Sequence, residues 1–182
     1  MKAKNFLIGA ALAVIALLGG IYAGAQRSSS QPKTPPSLPG RSIERLFAST
    51  LPDTAGKPQA FAQWQGKTLV VNFWATWCPP CREEMPAFSR LQTKHAANSV
   101  QFVGIAIDSA DMVREFSLQY PTTYPLLIGG AEGAELTRQL GNPSLALPYT
   151  LIINPAGSAT FARLGGLAEH ELDTLLQQNT TR

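Results

Sequence analysis

Thr68-Leu69-Val70-Val71-Asn72-Phe73-Trp74 carries no charge and runs into Ala-Thr-Trp-Cys-Pro-Pro-Cys, after which apolar residues recur at helical spacing. An apolar run without polar alternation marks a strand covered on both faces. Strands and helical segments alternate along the rest of the chain and end in a hairpin and a helix, which indicates an α/β fold. Cys78 and Cys81, the only two cysteines in 182 residues, fall where that strand hands over to a helix.

Two thiols three apart at a helix N-terminus lie within disulfide reach, so one can attack and the other resolve. Unpaired N–H groups and the helix dipole stabilise a thiolate there, which makes Cys78 the expected nucleophile, exposed on the first turn. Pro79 and Pro80 both lack an N–H, leaving Cys81 as the nearest backbone donor to the Cys78 sulfur. Weaker thiolate stabilisation favours the oxidised form and makes the dithiol a reductant. A purely structural bridge closing so short a loop contributes only about 2 kcal/mol. A zinc site lacks ligands, because His95 and His170 are 75 residues apart with no finger-like spacing. Haem attachment requires C-x-x-C-H, whereas Arg82 follows Cys81.

Ahead of this block, Lys2 and Lys4 precede twenty uncharged residues, Phe6 to Ala25, long enough to span a bilayer as a helix. That length favours a transmembrane anchor over residues 1–25, and Ala23-Gly24-Ala25 would also serve as a signal-peptide cleavage site. Both readings place the rest of the chain outside the cytoplasm. Residues 26–43 are rich in Ser and Pro and read as a tether. Five of the fifteen Lys and Arg precede residue 44 and none of the twelve acids do, so residues 44–182 carry a net −2. The basic balance belongs to the leader, and nucleic-acid binding is not expected.

In the domain from Glu44, Leu46 to Leu51 reads as a strand returning through Gln59 to Phe61, an N-terminal hairpin around the Asp53–Lys57 turn. A helix from the cysteines to about Ala96 carries Met85, Phe88 and Leu91 on one face, with Pro86 kinking it. Further elements are a strand from Val100 to Ile107 and a helix from Asp111 to Gln119 with Met112, Val113 and Phe116 inward. A short strand from Pro125 to Ile128 and a helix from Gly133 to Leu140 follow. A hairpin of Tyr149–Ile153 with Thr160–Leu164 and a closing helix from His170 to Gln178 complete the order. His95 and His170 read as surface residues, Asp108 and Asp111 as a turn and a helix cap.

Residues 72–86, Asn-Phe-Trp-Ala-Thr-Trp-Cys-Pro-Pro-Cys-Arg-Glu-Glu-Met-Pro, resemble the active-site block of membrane-anchored thioredoxin-like thiol reductases of the TlpA/ResA type. The likeness extends over roughly residues 45–180 and includes Leu51-Pro52-Asp53 and Leu147-Pro148-Tyr149-Thr150. It implies a thioredoxin-like fold, a central mixed β-sheet flanked by helices, with the N-terminal β-hairpin and an inserted strand and helix between 100 and 119. It implies a redox-active Cys78–Cys81 disulfide, a cis Pro148 facing it, and a Leu147 backbone that pairs with the substrate chain. Glu84, three residues after Cys81, matches the family's acid for handling the resolving thiol's proton; the alternative is a solvated acid favoured by the helix dipole. Asn72 stands where thioredoxin has a buried Asp and cannot take that proton, which strengthens the case for Glu84. Trp77 is expected in an exposed apolar contact surface and Trp74 in the core.

The resemblance implies a periplasmic dithiol reductase tethered to the bacterial inner membrane by residues 6–25. Its expected substrates are disulfide-containing exported proteins, such as apocytochrome c or copper-site assembly factors, and its donor a membrane protein of the CcdA or DsbD type. No cofactor or metal is expected. Alternatives on the same fold are a disulfide-forming oxidase, a copper-binding assembly protein, and a peroxiredoxin-like peroxidase. The last would need Thr where Ala75 stands.

Overall fold

The computed structural model describes residues 40–180. The expected anchor and most of the tether lie outside the described residues. Among the described residues no helix is long and apolar enough to cross a membrane.

Among the described residues the first element is a helix, α1 (Gly40–Ala48), not the end of a tether followed by a strand at Leu46. Ile43 and Leu46, three apart, are buried on one helical face, a spacing that a strand would have split between two faces. The expected hairpin follows as β1 (Thr50–Pro52) and β2 (Pro58–Ala60), antiparallel with Leu51 opposite Gln59. Asp53 shapes its turn by accepting hydrogen bonds from the Ala55 and Lys57 N–H groups, each at 2.9 Å.

The main sheet contains β3 (Thr68–Trp74), β4 (Val100–Ala106), β5 (Leu126–Ile128), β6 (Tyr149–Ile153) and β7 (Ala159–Leu164) in the order β5-β4-β3-β6-β7. β3 pairs in parallel with β4, and β4 with β5; β6 runs antiparallel to both β3 and β7. Every residue of central β3 is buried, as its continuous apolar run requires. Leu69, Val71 and Phe73 point to a core with α1 and α4 (Gly130–Gln139). Val70 and Trp74 point to the other, with α2 (Pro79–His95), α3 (Ala110–Gln119) and α5 (Glu169–Thr180). Asn72 alternates onto this second face, beneath α2.

α2 runs unbroken through Pro86. Of the three inward residues expected on α3, Val113 and Phe116 are buried, but Met112 is half exposed. The helix starts one residue earlier than expected and is capped by Ser109, which accepts from the Met112 N–H; Asp111 pairs with Arg114 at the surface. His95 is not a surface residue: only 3% exposed, its Nε2 meets Asp173 Oδ1 at 2.7 Å and ties α2 to α5. His170 is exposed.

Candidate active site

Cys78 leaves the C-terminal end of β3 through a tight turn, in which its N–H donates to the Ala75 carbonyl at 3.2 Å. It is the N-cap of α2, with Pro79 and Pro80 as the first helical residues, and its side chain makes no capping hydrogen bond. An N-cap side chain normally accepts from the second or third helical N–H. Here the second position is a proline, so only the Cys81 N–H remains. Both sulfurs are joined in a disulfide with 5.3 Å between Cα atoms. Cys78 is 3% exposed and Cys81 fully buried, so the first thiol is less open than its place at the helix start suggested. It belongs to the same buried cluster as Trp74, Ala75, Val113 and Phe116.

That turn is held from outside by Asp108, just beyond β4. One oxygen of its carboxylate accepts from both the Thr76 N–H and the Thr76 hydroxyl, while the other accepts from the Ser109 N–H at 2.8 Å. Sequence reasoning placed Asp108 in a turn of its own. Only the parallel β3–β4 register, which ends both strands at one edge, carries it across to the cysteine turn. Trp77 next to it is 67% exposed, while Trp74 is buried and packs on Phe116 with ring centroids 5.0 Å apart.

Glu84 is not a solvated acid. It is 6% exposed, one turn beyond Cys81 on the inner face of α2. Asn72 Nδ2 donates to its Oε1 at 2.9 Å, and the Leu167 N–H to its Oε2 at 3.0 Å. Burial pushes the Glu84 carboxyl up to about 7, against the opposing pull of the Leu167 and Asn72 hydrogen bonds. Tyr124 is buried nearby, and its phenol is driven upward by burial and then by the charge of Glu84.

The Leu147–Pro148 peptide is cis, and Pro148 is buried at the entry to β6. Its carbonyl accepts from the Gly165 N–H at 2.8 Å. Leu147 is half-buried and touches the cores on both faces of the sheet. Tyr149 turns inward and donates from its hydroxyl to the Leu140 carbonyl at 2.6 Å; burial raises that phenol to about 12. Thr150 Oγ1 accepts the second Asn72 Nδ2 bond at 3.0 Å. Cys81, Glu84, Asn72 and the start of β6 thus share one buried layer, while Trp77 stands in solvent.

A buried disulfide at a helix start, backed by an acid and a proline loop, is the arrangement of a disulfide-exchange enzyme. The model of the Redoxin family matches residues 39–176. The chain belongs to that family. Its relatives place it with the TlpA/ResA type of thioredoxin-like proteins. Thiol-disulfide oxidoreductase ResA of Bacillus thuringiensis subsp. konkukian is 30% identical over 129 residues, 70% of this chain and 72% of the relative. Thioredoxin-like protein YneN of Bacillus subtilis is 31% identical over 131 residues, 70% of this chain and 74% of that one. Among solved structures, the thioredoxin-related protein from Neisseria meningitidis serogroup B matches with a TM-score of 0.64 and 31% identity, over 74% of this chain and 100% of that one. A thiol:disulfide interchange protein from Chlorobium tepidum matches in fold, with a TM-score of 0.63 and 24% identity over 84% of this chain and 99% of that one. This member of the family is a thiol-disulfide oxidoreductase with a thioredoxin-like fold.

Proposed function

We propose that this oxidoreductase works as a reductant of protein disulfides outside the cytoplasm, tethered to the inner membrane by residues 6–25. The observation that carries the redox direction is the Pro79–Pro80 pair at the first two helical positions, which leaves the Cys78 sulfur with a single nearby backbone donor. A thiolate so poorly supported gives up its electrons readily.

The Cys78 thiolate attacks one sulfur of a partner disulfide; the partner's other sulfur leaves as a thiolate and takes up a proton. Cys81 then loses its proton to Glu84 and attacks the Cys78 sulfur. This forms the bond found in the structure and releases the second partner sulfur, so two electrons pass to the partner. Glu84 suits the proton step because a carboxyl near pH 7 both accepts and returns a proton. The main chain of Leu147 forms no hydrogen bond among the described residues, which leaves it for an extended substrate strand, and exposed Trp77 supplies an apolar contact. The substrates are exported proteins, apocytochrome c or copper-site assembly factors among them, and a membrane thiol donor of the CcdA or DsbD type restores the dithiol.

The equilibrium reduction potential against dithiothreitol tests the direction. A value near the thioredoxin end of the scale, about −270 mV, is expected. A value near about −120 mV identifies a disulfide-forming oxidase and overturns the proline argument.

A further inference from the structure

Two backbone N–H groups, two residues apart in the loop between β7 and α5, close the site from behind. The Leu167 N–H holds Glu84 Oε2 at 3.0 Å, and the Gly165 N–H holds the Pro148 carbonyl at 2.8 Å. On the opposite side Asn72 Nδ2 bridges Glu84 Oε1 and Thr150 Oγ1. The carboxylate therefore sits in a ring of hydrogen bonds that grips the start of β6 at Pro148 and again at Thr150.

Both partners approach Glu84 as donors. Asn72 spends its amide nitrogen on the ring, and its Oδ1 is buried without a partner among the described residues. A carboxylate matches such a setting, and a charge-assisted hydrogen bond is about twice as strong as a neutral one. Losing the charge weakens both arms together. Gly165, at φ +90°, and Gly166 have open space around them, with nothing within 4 Å of an added Cβ, whereas the Leu167 side chain is buried. The link between the two N–H groups is therefore main chain alone, and what joins the Leu167 arm to the Pro148 arm is the pair of hydrogen bonds at its ends.

The groups facing Glu84 are the neutral Asn72 amide from β3, the Leu167 N–H, the Tyr124 phenol from the segment before β5, and Cys81 on α2. Among the described residues no cation pairs with it. Its charge is thus free to change with the reaction rather than being fixed by a counter-ion.

We propose that Gly165–Leu167 and Asn72 are positioning elements that make the Leu147–Pro148 segment respond to the charge on Glu84, so that substrate docking tightens when Glu84 is ionised. The inference rests on the reading of that segment as the substrate-docking strand. Proton uptake by Glu84 from Cys81 as the disulfide closes would then loosen the segment at the moment the reduced partner must leave.

Amide NMR of the full oxidised chain between about pH 5 and about pH 9 tests the coupling directly. Gly165 and Thr150 are expected to titrate with the midpoint of Leu167, and all three to go flat in Glu84→Gln. Titration of Leu167 alone, or of none, overturns the coupling. The docking consequence is read from steady-state reduction of insulin and of dithionitrobenzoate, a small disulfide with no strand to dock. Replacing the Leu167 N–H by an ester oxygen is expected to lower the insulin-to-dithionitrobenzoate ratio of kcat/KM about fivefold, through KM. The same replacement at Gly165 is expected to do likewise, and both together no more than either. An unchanged ratio with the amides still titrating in concert overturns the docking role and locates the failure in the reading of Leu147–Pro148.

Discussion

Replacing Glu84 by glutamine removes a buried acid whose cost to the fold depends on pH. The carboxyl titrates near 4.5 when unfolded and near 7 in the native state, because burial disfavours its charge more than the Asn72 and Leu167 bonds favour it. Between those values the native state holds a proton that the unfolded state has released, so stability falls as pH rises. The loss is complete above the native value and amounts to about 3 kcal/mol, at about 1.36 kcal/mol for each pH unit separating the two. Asp53, Glu135, Glu169 and Asp173 are all held below their ordinary range, and their contributions appear below the same window with the opposite sign. Guanidinium unfolding of the oxidised protein at steps from about pH 4.5 to about pH 7.5 isolates the effect. With a slope of roughly 4 kcal/mol/M, the gap between the wild-type and Glu84→Gln midpoints is expected to change by about 0.8 M across that range, glutamine gaining toward high pH. A gap that stays constant refutes the reasoning, because Glu84 would then titrate alike in both states.

Asp108→Ala frees Thr76 at both of its bonds and is expected to cost about 2 kcal/mol in unfolding free energy while slowing reduction by the loosened Cys78 turn. Gly129→Ala places a Cβ 2.7 Å from Ile105 Cγ2, 2.9 Å from the Gly133 Cα and 3.0 Å from the Ala106 carbonyl, the last two on backbone that cannot swing aside. A loss of about 2 kcal/mol or more in chemical denaturation is expected there. Trp77→Ala leaves stability within about 0.5 kcal/mol but lowers kcat/KM for a protein disulfide about tenfold, the usual weight of an aromatic anchor. Steady-state assays on insulin measure that fall.

The oxidoreductase core was legible because it is local. The uncharged run of β3, the two cysteines at its end and the helical spacing after them are contiguous, and period and spacing predict such units without tertiary knowledge. The N-terminal hairpin and the alternation of later elements followed from turn residues and apolar runs. Misreadings fell where side chains meet across elements. Leu46 looked like strand because the short apolar stretch lacks a period of its own; α1 forms because Ile43 and Leu46 have a core to enter. His95 looked solvated because nothing near it in sequence announces Asp173, 78 residues away.

The sequence by itself settled the fold class and the pair of sulfurs that the structure joins, since both depend on residues within about one turn or one strand of each other. Tertiary structure decided the environment of Glu84. Only the packing of α2 over β3, with the β7–α5 loop closing behind it, buries that carboxyl beside Asn72 and Leu167. The physical reason is that desolvation and hydrogen bonding are properties of what surrounds a group, and here the surroundings come from residues 12 and 83 positions away.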